Sequence, residues 1–493
     1  DFFANKKTTY GIVLNGFSSP SSSYNWNQTN ISTAAKELEN VTIATVDNTA
    51  HWKNFSTNFN FRRVLDTTGR ELTADVDYMT FRSKNRQTMI NSYFDAAGNM
   101  FSKADTLLAN LPQQINVYSG RVDYLHPLKK GVKFEAGIKA SIVRTDNNAG
   151  FDSVQYGKVI HDHNRSNHFL YKENINAAYT NLSAPLSKKL SAQLGLRLEN
   201  TNATGRQLTT GQKFDRYYTQ LFPTAFFQYT VNKEHNLGLS YGRRIRRPNY
   251  ESLNPFIKFI DRYTYSKGNP DLKPQLSNNI ELTHTYKNKL TTTLNYTITN
   301  DILQGVIEQK GREAYSTQAN IATLRQYGIA VNLNNNFTKW WTNSFYINLF
   351  NNSFEGVVNN TSIAFSATRL MVTGTQQFKL GKALTAELSG IYRTAGIDGV
   401  IKTKSIGGVA AGFSQQVLKN KGNVRLSFRD IFYTQKGRAV VKYGNVDASF
   451  QEVRDSRLVN LAFTYRFSKG KMNNVKKRNT GSANEEQNRI DVQ

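Results

Sequence analysis

Apolar residues recur at every second position in segment after segment of this chain. Leu237, Leu239 and Tyr241 alternate with Asn236, Gly238 and Ser240. Leu290, Leu294, Tyr296 and Ile298 share one parity, and Thr291, Thr293, Asn295 and Thr297 the other. The same holds for Leu194, Leu196 and Leu198, for Phe345, Ile347 and Leu349, and for Val424, Leu426 and Phe428. A period of two predicts β-strands with one apolar face. The opposite face is built from Asn, Thr, Ser, Gln and Gly rather than from blocks of charge, which suits a wall between lipid and a wetted lumen.

Short turn signals separate some strands, near Asp66–Gly69, Pro127–Gly131, Pro185–Lys189, Val231–His235, Lys287–Lys289, Lys339–Trp341, Leu380–Lys382 and Leu418–Gly422. Longer polar segments separate the others: Thr145–Asn167, Asn200–Arg216, Ile245–Asn278 and Thr299–Arg325. Short turns at one rim and long loops at the other predict a transmembrane antiparallel β-barrel, an all-β fold with periplasmic turns and extracellular loops. From Lys6 to Phe467 the pattern allows about 18 strands of roughly 10 membrane-spanning residues each. A propeller or sandwich fits less well, because sheets in those folds pack apolar faces against one another at a shorter, more regular repeat.

The last strand puts Val459, Leu461, Phe463, Tyr465 and Phe467 on one face. It reads as the barrel-closing strand, with an aromatic end like the strand recognised by the barrel-assembly machinery. Residues 1–467 are therefore assigned to the barrel. Residues 468–493 are polar and aperiodic and are expected to form a disordered periplasmic tail.

Composition sharpens the picture. The chain has 63 Lys and Arg against 36 Asp and Glu, a formal net charge of +27. Such a balance points to an anionic partner, nucleic acid or phosphate-bearing lipid. Mean hydropathy is −0.55, and no run is long and apolar enough for a transmembrane helix. Neither value speaks against a barrel, in which only alternate residues meet lipid. The absence of cysteine removes disulfides, thiolate metal sites and cysteine nucleophiles.

Four arginines, Arg243, Arg244, Arg246 and Arg247, fall within one short stretch. Continuing the lipid-facing parity of Leu237 and Leu239 puts Arg243 and Arg247 outside and Arg244 and Arg246 in the lumen. An outward arginine costs only about 0–1 kcal/mol near the interface, so Arg243 is expected to meet the phosphates of outer-membrane lipid or lipopolysaccharide. Alternation splits the cluster between two faces, so nucleic acid is not an expected partner.

The residues that follow carry a resemblance. Arg247 and Pro248, Asn254 and Pro255 before Phe256, then Gly268, Asn269, Pro270, Leu272 and Pro274, then Glu281, resemble the most recognisable stretch of TonB-dependent outer-membrane receptors. Asn254–Phe256, Gly422–Phe432 and the ending 479–490 resemble the Bacteroidetes-type β-barrel subfamily. The resemblance runs over essentially the whole chain. It implies uptake of a substrate across the outer membrane of a Gram-negative bacterium, with no covalent chemistry and no cofactor. It also implies a barrel of about 22 strands around an N-terminal plug, through which TonB acts. This chain begins at Asp1 in mid-pattern, so the plug and about four strands are expected to be missing. A plugless structural barrel, serving as scaffold in an outer-membrane complex or paired with a surface lipoprotein, is the alternative. A basic soluble binding protein is a third reading. Ligand contacts are expected from the long loops and lumen face, notably Arg246, Arg262, Tyr263 and Tyr265, since aromatic and arginine side chains make good anchors.

Catalytic and metal signals are weak. His161 and His163 would share a strand face next to Asp162, the spacing of a surface metal site, but a solvated loop is the favoured reading and no metal is assigned. The glycine-rich stretches lack the strand-to-helix context of a phosphate loop.

Overall fold

The computed structural model describes residues 1–33, 35–358, 361–467 and 481–490. One 21-stranded sheet makes the body, with antiparallel ladders between sequence neighbours. Phe2–Phe3, Met100–Asn110 and Lys158–His161 are short side strands, and the other 18 form the wall. Thr8–Ser32 and Leu458–Tyr465 are the outer wall strands, and no ladder joins them among the described residues. The wall curves on itself, so that Arg312 reaches Glu39 across the mouth at 2.5 Å.

Register turns the alternation of single strands into a continuous belt. Leu239 pairs with Leu282, Leu282 with Leu294, Leu294 with Ile329, Ile329 with Leu349 and Leu349 with Leu370. Most of these side chains stand exposed on the outer face. An apolar surface of that extent is a solvent mismatch in water and a match in lipid. At the short-turn rim Phe337, Trp340, Trp341 and Phe378 pack ring against ring, with centroids 4.7–6.2 Å apart. Such rings suit the membrane interface, where one end is apolar and the other wet. All eight expected short turns occur, among them the Asp66–Gly69 turn. There Asp66 accepts from the Thr68 and Arg70 amides, and Gly69 takes a φ of +90° that a side chain would disfavour.

At the other rim the expectation of irregular loops needs correction. The strands Lys133–Gln155, Asn167–Pro185, Leu190–Gln207 and Lys213–Thr230 continue through most of Thr145–Asn167 and Asn200–Arg216 as paired hairpins. There the outward face turns polar, as at Asp146 and Asn148, while inward residues such as Ala149, Phe151 and Phe169 are buried. The apolar period disappears while the hydrogen-bond ladder runs on.

Two small four-stranded sheets sit over the mouth. One joins Ile257–Phe259, Thr264–Lys267, Leu303–Lys310 and Glu313–Asn320. The other joins Gly396–Asp398, Ile401–Thr403, Lys436–Tyr443 and Val446–Val453. The first is tied into the lumen. The second caps the neighbouring half of the rim over a core of Val306, Phe354, Val400, Val441 and Tyr443.

The candidate site in the barrel lumen

The loop between the strands His235–Arg246 and Gln275–Tyr286 folds inward and crosses the mouth of the barrel. Tyr250, Leu253 and Leu272 lie at most 3% exposed. They share a core with Met79, Phe81, Val117, Val143 and Phe169 of the wall. Burial of these three side chains on the lumen face fixes the loop indoors.

The residues behind the family resemblance are the staples of this loop. Arg247 donates to Glu199 at 2.7 Å, to Thr201 at 3.0 Å and to the Tyr218 hydroxyl at 3.3 Å. The Asn269 amide donates to Ser252 O at 2.6 Å, and Gly268 lies so close to Asn254 that a Cβ would stand 2.0 Å from its carbonyl oxygen. The Asn269 side chain reaches Gln318 O at 3.1 Å, which ties the loop to the neighbouring hairpin. Arg216 donates to the carbonyls of Pro270 and Leu272, closing the motif against the wall. Pro248 O accepts from Arg489 at 2.9 Å. Asn254 is buried, and Pro255 and Pro274 are half-buried.

The far end of the loop is tethered by Asp261, which is fully buried. It accepts from Asn27 Nδ2 and Thr29 Oγ1 at 2.6 Å each, and from the Tyr263 and Thr264 amides at 2.7 and 2.8 Å. Hydrogen bonds to a charged group contribute about 1.5–3 kcal/mol each. Asp261→Ala is therefore expected to free the loop tip, with limited proteolysis between residues 257 and 267 at least about tenfold faster, a difference of about 1.4 kcal/mol. Unchanged cleavage would show that the apolar contacts alone hold it.

Of the four expected ligand contacts, Arg262, Tyr263 and Tyr265 lie on the same loop tip with separate partners, and Arg246 stands apart. Arg262 lies 5.9 Å over the Tyr93 ring and 3.3 Å from Asp105. Tyr265 stacks on Tyr315 at 5.2 Å and 6°, and its hydroxyl donates to Glu313 at 3.1 Å. Partial burial and the Glu313 carboxylate push that phenol up to about 12, so it stays a neutral donor. Tyr263 sits between them, held by its amide. Arg246 remains exposed at the end of its strand, opposite Gln275.

The lipid-phosphate assignment of Arg243 is corrected. Its guanidinium donates to Gln220 at 2.9 Å, on the lumen face beside Glu199. Arg247, also read as outward, is paired with Glu199 in the lumen. The ladder to Lys213–Thr230 ends at Thr224/Gly242. Beyond that point the strand leaves its neighbour, and the parity of Leu237 no longer dictates the side. In the last wall strand Val459, Leu461, Phe463 and Tyr465 share one exposed face, opposite Phe428, Leu426, Val424 and Gly422, and the strand is paired on that one side among the described residues.

The tail needs a second correction. Residues 468–480, with Lys476, Lys477 and Arg478, and residues 491–493 lie outside the described residues. Residues 481–490 are an ordered segment inside the lumen, with a short helix at Asn484–Gln487. Glu486 is 1% exposed. Burial works against the charge of Arg489, but the Glu173 carboxylate outweighs it and raises the guanidinium further above its ordinary range. A cavity of about 700 Å³ lies beside this segment, lined among others by Arg121, Lys139, Arg197, Glu199, Arg243 and Glu485.

The histidine-rich loop is divided between separate partners. His161 pairs with Asp152 at 2.8 Å and His168 with Asp146 at 2.9 Å. Among the described residues no group of three or more His, Cys, Asp or Glu is placed to hold a metal.

A lipid-facing β-wall with short turns at one rim and a lumen closed by an inward loop defines a β-barrel of the Gram-negative outer membrane. The outer membrane protein beta-barrel family model matches residues 63–465, and the chain belongs to that family. No curated protein matches it. Among solved structures, the siderophore receptor PiuA from Acinetobacter baumannii is similar with a TM-score of 0.54 at 12% identity, covering 93% of this chain and 82% of that one. The ferric yersiniabactin uptake receptor FyuA from Yersinia pestis gives 0.53 at 14%, covering 94% and 81%. The FrpB iron transporter from Neisseria meningitidis gives 0.51 at 11%, covering 94% and 82%. These likenesses show the shared barrel fold, and the neighbours are receptors and transporters rather than enzymes.

Proposed function

We propose that this barrel belongs to a receptor that takes up a substrate through its lumen in a TonB-dependent manner. The observation that carries the reading is the inward loop, stapled across the mouth by Arg247, Arg216 and Asp261. A loop held there obstructs free diffusion, so passage has to be driven and gated. Similar barrels include an iron transporter and a siderophore receptor, which supports uptake without naming the substrate here. Arg262, Tyr263 and Tyr265 present aromatic and cationic anchors at the outer end, with Arg246 a further contact at the rim. Coupling to TonB would run through the plug such receptors carry ahead of the barrel, and the exposed loops would be the surface offered to a lipoprotein partner.

The test compares cells carrying or lacking the native protein, with TonB present or deleted, for growth on limiting iron, copper, cobalamin, peptides or glycans. Uptake of one substrate that needs both proteins, and that falls when Arg262, Tyr263 and Tyr265 become alanine, is the expected result. Growth that depends on the barrel but not on TonB, or on neither, would instead support the scaffold reading.

A further inference from the structure

The strand Leu458–Tyr465 ends at the periplasmic rim, yet residues 481–490 lie up inside the lumen. Their contacts follow the wall in order. The Gly481 amide donates to Asp75 at 3.3 Å, and the Ser482 amide and hydroxyl donate to Asp77 at 2.6 and 2.5 Å. Lys139 donates to Glu485 at 2.9 Å and to Glu486 at 3.1 Å. Arg489 forms a two-pronged pair with Glu173. Ala483 and Ile490 enter the apolar core beside Leu253 and Leu272.

Three features separate this from casual filling of space. First, donors meet carboxylates, carboxylates meet the ammonium, and the guanidinium meets a carboxylate, all along one run of chain. Second, with the segment in place the side chains of Lys139 and Glu173 are 6% and 3% exposed and are paired with it, and a charge buried without a partner is costly. Third, Arg489 faces two ways. Besides Glu173 it donates to Pro248 O at 2.9 Å, its carbonyl accepts from the Tyr250 amide at 3.2 Å, and its guanidinium lies 4.2 Å from the centre of the Tyr250 ring. The segment thus clamps the stem of the inward loop to the wall.

We propose that the lumen face around Asp77, Lys139 and Glu173 is a peptide-binding site, that its ligand is the chain's own segment 482–490, and that its departure frees the stem of the inward loop. The ligand class is a short peptide with adjacent carboxylates followed, three residues after the second, by an arginine. The inference stands apart from the uptake reading, because it is read on purified protein.

Two measurements test it. The chain contains no cysteine, so Asp77→Cys with Ser482→Cys in the full-length protein provides a single clean cross-link under mild oxidation. Cross-linking is expected, and its absence overturns the placement of the segment. A chain ending at Gly481 is then titrated with a fluorescent peptide of sequence Ser-Ala-Asn-Glu-Glu-Gln-Asn-Arg-Ile. Saturable binding is expected, at least about tenfold weaker (about 1.4 kcal/mol) when the peptide's arginine is alanine, and absent with the full-length protein. A truncated chain that keeps its heat-modifiable folded band yet binds neither peptide, or binds both equally, overturns the site. If truncation prevents folding, the cross-link and Arg489→Ala in the full chain decide. Arg489→Ala is expected to speed proteolysis around residues 247–256, and no change overturns the link to the loop.

Discussion

Arg247→Ala is expected to be among the most destabilising single substitutions in the barrel. The side chain is only 8% exposed. It closes a network in which Glu199, 5% exposed, also accepts from Arg197 at 2.5 Å. Removing one partner of a buried pair costs about 3–5 kcal/mol, because the other charge stays where it cannot be fully solvated. Arg197 keeps part of that compensation, and lumen water can supply more, so the lower end of that range is the expected loss. Denaturant unfolding followed by tryptophan fluorescence should show a lower midpoint at unchanged slope. Arg247→Lys should recover only part of it, since an ammonium cannot reach Glu199, Thr201 and Tyr218 in the same fork. A midpoint unmoved by the alanine change would mean that the lumen here is wet enough to solvate Glu199 alone.

The same residue shows how far alternation carries a reading. The outer face was legible wherever a strand stays hydrogen-bonded to both neighbours, because a slip of one residue would turn every apolar side chain inward. The leucine belt follows from that rule, and the last strand keeps its face through its single ladder to Gly422–Arg429. Arg243 and Arg247 fail it, since their strand has already parted from one neighbour and nothing apolar remains to set the parity. The loop motif was legible as sequence but not as geometry. Gly268, Asn269 and Pro270 lie in a segment read only as a long loop, whereas their partners, Arg216, Ser252 and Gln318, are distant or unremarkable in the chain. Residues 481–490 were the least legible. Their composition is that of a solvated tail, and what places them is charge on the lumen parity of strands hundreds of residues earlier: Asp75, Asp77, Lys139 and Glu173. Charged residues at inward positions, with Arg121, Arg197 and Glu199 beside these four, were a signal in a wall otherwise rich in Asn, Thr and Ser.

Gly268→Val is expected to abolish uptake while leaving the barrel folded. A Cβ at this position would stand 2.0 Å from Asn254 O and 2.8 Å from Ser252 O. Both obstacles are backbone, which cannot rotate aside as a side chain can. Overpacking usually costs about 1–3 kcal/mol, occasionally more, and here it can be relieved only by parting the two arms of the loop. That would break the Asn269 amide bond to Ser252 and carry Leu272 out of the core it shares with Phe81 and Val143. The wall strands do not depend on this contact, so the heat-modifiable band and the detergent-extracted monomer should be retained. Gly242→Ala is the matching control: its Cβ would meet only a Thr224 methyl at 3.9 Å, and it should be close to neutral. Proteolysis of residues 247–274 and transport in cells are the two readouts. If Gly268→Val is cleaved no faster than the parent and transports as well, the inward loop is not what closes the lumen, and the gate has to be sought elsewhere in the molecule.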